Sequence, residues 1–137
     1  MEALEKLKRA VDLDPQDNEA YYYLGLCHRA MGQLTEARAA LARATELAPE
    51  VSQAWGTLAL VHSQLNDTPA AERCFREAIR LSPTDALAHS MLARILAQRG
   101  DYTQAEEHLK NAMLADPQNP SFPKLLQQLQ EFKNGKP

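Results

Sequence analysis

The side chains with the most chemistry in this chain are four histidines and two cysteines: His28, His62, His89, His108, Cys27 and Cys74. Imidazoles and thiolates hold transition metals and supply nucleophiles and bases near neutral pH. Their spacing argues against that use. Cys27 and His28 are neighbours, and neighbours on a helix point about a quarter-turn apart. His28 and His62 stand 34 residues apart. Stacked helices would hold their backbones about 10 Å apart, and no further ligands stand near them. No glycine-rich phosphate loop, nucleophile elbow or metal motif occurs. The expectation is half-buried histidines and inert small cysteines, with His89 in a packing position and His108 on a solvated face. No catalytic residue, metal or cofactor is expected, and the chain reads as a non-enzyme.

A second cluster suits binding instead. Three successive helical residues, Tyr21, Tyr22 and Tyr23, spread over about 200° of arc, so they cannot all face a core. Tyrosine outside a core carries large contact area at little entropic cost.

The elements that position these residues follow from the prolines. Pro15, Pro49, Pro83 and Pro117 recur every 34 residues, and other columns fall into the same register. Ala3, Ala37, Ala71 and Ala105 share one column; Leu7, Leu41, Phe75 and Leu109 share another; Ala10, Ala44, Ala78 and Ala112 make a third. Leu24, Leu58 and Leu92 stand beside Gly25, Ala59 and Ala93. Apolar residues recur at helical spacing within each unit. Small residues let two helix backbones approach, and Leu or Phe fills the groove beside them. Gly32, Asn66 and Gly100 share the position between two helices, and these types accept a left-handed cap. Thr35, Thr68 and Thr103 follow and are expected to cap the next helix. The periodic prolines end the second helix. Each unit is thus a helical hairpin. The helices are expected at about 2–14, 18–31, 35–48, 52–65, 69–82, 86–99, 103–116 and 122–133.

Composition sets the outer bounds. The chain has 137 residues, 45% apolar and 24% charged, which is ordinary for a folded protein and argues against disorder. A net charge of −3 provides no basic field for nucleic acid or an anionic membrane surface. No apolar run approaches the roughly 18 residues of a membrane span. The first ten residues, MEALEKLKRA, lack an apolar signal core, which fits the cytoplasm. Exposed charges such as Glu72 and Arg76 stand at the i, i+4 spacing of a solvated helix face.

With these columns the chain resembles the tetratricopeptide repeat. Trp55, Leu58, Ala59, Ala71, Phe75, Ala78 and Pro83 carry the likeness most closely. His28 and His62 depart from it where Tyr is usual, and His89 departs where Trp55 and Tyr21 stand in the other units. The resemblance implies an all-α fold, a right-handed superhelix of antiparallel hairpins with about eight helices. A single domain spans 1–137: a half repeat at 1–17, full repeats at 18–51, 52–85 and 86–119, and a capping helix at 120–137. It also implies a non-enzymatic protein-interaction scaffold that binds an apolar-anchored peptide or amphipathic helix. The binding face is the concave one, lined by the first helix of each repeat. Carried over, the lining is Glu19, Tyr22, Leu26 and Arg29, then Gln53, Leu60 and Ser63, then Leu87, Ser90 and Arg94. Tyr23, Thr57 and Met91 lie at its edge. The Lys and Arg clamp by which some members grip a terminal carboxylate is absent, as is the asparagine ladder of others.

The ends suggest an alternative. The first helix has no partner before it, and its stripe of Leu4, Leu7 and Val11 is expected to be open, inviting self-association into a homo-oligomer. The segment FPKLLQQLQEF puts Leu125, Leu126, Leu129 and Phe132 on one face and glutamines elsewhere, as a terminal cap does. The start reads as a cut through a longer array. Protein or peptide partners are expected, not nucleic acid or membrane.

Overall fold

The computed structural model describes residues 2–135; Met1, Lys136 and Pro137 lie outside the described residues. Eight α-helices follow in order: α1 (Glu2–Leu13), α2 (Asn18–Ala30), α3 (Leu34–Leu47), α4 (Ser52–Gln64), α5 (Thr68–Leu81), α6 (Ala86–Gln98), α7 (Tyr102–Ala115) and α8 (Ser121–Lys133). No strand occurs among the described residues. The observed ends differ from the expected ones by about one residue. Each proline of the periodic set stands two residues beyond a helix end.

The hairpin turns show how the repeat is built. Gly32, Asn66 and Gly100 have φ of 76°, 63° and 89°. At each, two backbone bonds close the preceding helix. The N–H of Gly32 donates to Arg29 O (3.0 Å) and that of Gln33 to His28 O (2.8 Å). Asn66 with Asp67 and Gly100 with Asp101 repeat the pattern. This pair of bonds satisfies carbonyls that a helix end leaves open, and it requires the left-handed residue. The threonines do not cap the next helix. Its first turn begins one residue earlier than expected, so Thr35 and Thr103 already lie inside it. Instead Asp67 Oδ1 accepts from Ala70 N–H at 3.2 Å, the role Asp17 and Asp85 play for α2 and α6.

The chain forms two compact units, Met1–Glu77 and Ala78–Pro137, with the boundary inside α5. In the first, α1 packs on α2, α2 on α3, and α3 on α4. Ala37 and Leu41 are fully buried, and Leu41 fills the space that a Cβ on Gly25 would take. Leu4 is 6% exposed and clusters with Leu24 and Ala40, with Leu7 and Val11 partly buried against them. Leu4 is therefore covered, because α2 lies on it, while Leu7 and Val11 are covered only in part. Beside this cluster Ala3 is exposed and Ala10 half-buried, with the half-buried Leu7 at the margin between the two faces of α1. These belong to the three columns that are buried throughout α3, α5 and α7.

In the second unit α6 packs on α7 and α7 on α8. Leu92, Leu96, Ala105, Leu109 and Ala112 are fully buried. Helix α8 turns Phe122 and Leu129 inward and leaves Gln127, Gln128 and Gln130 exposed. Phe132 departs from the expected inward face. It is 54% exposed and stacks on Tyr102 with ring centroids 6.2 Å apart. Glu106 of α7 joins α8 through Gln130 Nε2 and Lys133 Nζ, each at 3.4 Å. The Gln130 hydrogen bond, with Lys110 and Lys133 behind it, holds this carboxyl below the usual range.

Candidate binding site

Hairpins stacked in register leave the start of one first helix beside the start of the next. In the first unit this makes a notch of about 170 Å³ between α2 and α4. Asn18, Glu19, Tyr22 and Tyr23 form one wall, Gln53 and Ala54 the other, with Val51 and Ala44 beneath. Tyr22 is half-buried and Tyr23 is 53% exposed. Their rings meet edge to face, 5.4 Å apart at 70°. The adjacent position on α4 is Gly56, where an added Cβ would meet nothing within 4 Å.

The second unit repeats the notch 68 residues later, at about 340 Å³, between α6 and α8. Leu87, Ser90 and Met91 replace Glu19, Tyr22 and Tyr23, while Ser121 and Phe122 replace Gln53 and Ala54. Arg94 and Asp116 also line it. The geometry recurs while the chemistry changes: the tyrosine pair and Glu19 give way to Leu87, Ser90 and Met91, with Arg94 and Asp116 as an opposed pair of charges.

The expected lining residues divide by what they can offer. Glu19, Gln53 and Arg94 are exposed; Leu26, Leu60 and Ser63 are half-buried. Thr57 donates its hydroxyl to Gln53 O at 2.9 Å, and Ser90 to Leu87 O at 2.9 Å. Such bonds to the helix's own backbone leave no free donor for a ligand. Ser90 is also 7% exposed, deeper than a groove edge. Arg29 Nε donates to Gln64 Oε1 at 2.8 Å, which ties it to α4. Asn18 and Val51, together with their equivalents Ala86 and Asn119, are lining residues that the carried-over positions missed. Asn18 and Ala86 open α2 and α6, while Val51 and Asn119 precede α4 and α8, and all four enter the walls because each notch forms at helix starts.

Three of the four histidines have hydrogen-bond partners within the fold. His28 Nδ1 lies 2.7 Å from Gln33 Oε1. The equivalent His62 has Asp67 Oδ2 at 4.0 Å, too long for a hydrogen bond, and its buried Nδ1 has no bonding partner. Burial lowers its pKa from 6.5; Asp67 opposes this, and Arg38 and Arg73 add to it. His89 takes the place of Trp55. The indole N–H of Trp55 donates to Pro49 O at 2.9 Å, and His89 Nε2 reaches Pro83 O at 2.8 Å. A carbonyl can only accept, so the proton of neutral His89 sits on Nε2 and its Nδ1 accepts. His108 Nδ1, 3.0 Å away, must then donate. His108 is thus half-buried in a histidine pair, not on a solvated face, because the smaller ring at 89 leaves it room. Burial pushes the Cys74 thiol up to about 11. No group of three or more His, Cys, Asp or Glu among the described residues could hold a metal ion. No helix among them is long and apolar enough to cross a membrane.

Known proteins share this architecture. The crystal structure of MamA has a TM-score of 0.90 at 20% identity, covering 96% of this chain and 77% of that one. The first TPR of Spaghetti (RPAP3), bound to HSP90 peptide SRMEEVD, has a TM-score of 0.81 at 16% identity, covering 88% of this chain and 96% of that one. At these identities the likeness shows the fold, an all-α solenoid of tetratricopeptide hairpins. No curated protein sequence matches. The model of the cilia and flagella-associated protein 70 C-terminal domain matches residues 1–135. A match running through every helix, on hairpins closed by the same turn at the same interval, settles the family: the chain belongs to the tetratricopeptide-repeat family of the cilia and flagella-associated protein 70 C-terminal domain.

Proposed function

We propose that the chain is a protein-interaction module that holds a peptide or partner helix through apolar anchors on its first helices. The observation that carries this is the recurring notch, which presents Tyr22 and Tyr23 in one unit and Leu87 and Met91 in the other. A rigid aromatic or a half-exposed Leu beside a preformed hollow is what a peptide anchor needs. A solved protein of the same fold is bound to a peptide, SRMEEVD, with three acidic residues. The residues here do not suit a similar acidic tail. Tyr22, Leu26, Thr57, Leu87 and Met91 stand where a cationic clamp would be, and Arg29 is engaged by Gln64. The fitting partner is therefore apolar-anchored.

The test is the double variant Tyr22→Ala with Leu60→Glu in affinity capture, with circular dichroism confirming the helices. Removing a hot-spot aromatic and placing a charge on the same face should weaken partner binding by about tenfold or more. Unchanged capture by the folded variant would falsify the proposal.

A further inference from the structure

We infer that the Tyr22–Tyr23 notch takes a basic side chain, a lysine or arginine, from the bound segment. This rests on the peptide-binding reading above and gives it a sign of charge.

Size comes first. The notch encloses about 170 Å³, below the roughly 300–1,000 Å³ of small-molecule pockets. It has room for one side chain. Its walls are of two kinds. Val51, Ala54 and the tyrosine rings are surfaces on which a long methylene stem lies well. The polar groups beside them, Glu19 and Gln53, both exposed, bring a carboxylate and an amide oxygen. No Lys, Arg or His lines the notch. Glu19 makes no ion pair among the described residues, so its charge is available.

The tyrosines add a second attraction. Rings meeting at 70° form a corner that exposes aromatic face. A cation within about 6 Å of a ring centroid is drawn by the ring quadrupole. An apolar stem path, two aromatic rings and an unpaired carboxylate suit a lysine or arginine. They repel an aspartate or glutamate and forgo attraction with a leucine. The repeat-equivalent notch has Leu87 in place of Glu19, Ser90 and Met91 in place of the tyrosines, and both Arg94 and Asp116 in its lining, so the pairing of two tyrosine rings with an unopposed carboxylate belongs to the first unit.

The test uses the intact chain and three blocked tripeptides, acetyl-Leu-Lys-Leu-amide and its versions with norleucine or glutamate at the centre. Binding is followed through amide shifts of residues 18–26 and 53–60. The lysine peptide should bind about fivefold more tightly than the norleucine peptide, and more tightly again than the glutamate one. Glu19→Gln should erase most of the lysine advantage, as should raised salt. Glu19 is exposed, so the substitution leaves the fold intact. Equal or tighter binding of the norleucine peptide overturns the charge preference while the peptide-binding reading stands. An undiminished lysine advantage in Glu19→Gln overturns the role of Glu19. No shift on α2 or α4 with any of the three overturns this inference and the reading beneath it.

Discussion

Two glycines on successive first helices are there for opposite reasons. A Cβ at Gly25 would lie 2.5 Å from Leu41 Cγ, so the methyl of alanine has nowhere to go without moving a fully buried side chain. Gly56 faces open space. Gly25→Ala should lower stability by about 1–3 kcal/mol through overpacking, whereas Gly56→Ala should raise it by about 0.5–1 kcal/mol through helix propensity. Denaturant midpoints moving in opposite directions check both. His62 gives a residue-scale pH prediction. Its pKa is lowered on folding, chiefly by burial, so the unfolded chain takes up a proton that the folded one resists. Stability from this group is complete above 6.5, the ordinary histidine value, and is lost as pH falls through the lowered value. His62→Leu places there the residue that the third repeat has, the fully buried Leu96. The melting temperature of the variant should fall less than wild type between roughly pH 7 and pH 5. Equal slopes would refute the assignment.

At the scale of the element, identical residues in one column meet different surroundings. Ala37, Ala71 and Ala105 are fully buried, while Ala3 on α1 is exposed. Enlarging the first three should cost about 1–3 kcal/mol each, and Ala3→Leu should stay within about 0.5 kcal/mol. Thermal melts of Ala37→Leu and Ala3→Leu make the comparison; similar losses would contradict it. This column also marks what the sequence could disclose. Periodicity revealed that a small residue is needed where helices approach. It could not reveal which face of α1 is covered, because Leu4 stands where α3, α5 and α7 have Arg38, Glu72 and Glu106. A position whose type changes carries no repeat signal, and packing on Leu24 decided it. The caps went astray for a similar reason. Threonine and aspartate are both good caps, and a shift of one residue chose Asp67 over Thr68.

Across the whole molecule, the repeating architecture was legible because every repeat must solve the same packing problem, so its solution is written several times. The candidate site was legible in part. The first-helix positions follow from the register, but each notch is completed by residues such as Val51 and Asn119 that precede the next helix. Nor did side-chain types reveal that Thr57 and Ser90 give their hydroxyls to their own backbone. The ligand-facing chemistry is thus the part that differs from repeat to repeat, and a single copy of it gives no pattern to read.

The exchange of an indole for an imidazole at the proline carbonyl has an optical consequence. Trp55 is the chain's single tryptophan and lies in the Met1–Glu77 unit, its ring fixed by the bond to Pro49. His89 reproduces that bond in the Ala78–Pro137 unit without an emitting ring. Tryptophan fluorescence therefore reports the surroundings of one unit without any labelling, while the helical dichroism reports both. The unmodified protein already carries a local probe and a global one.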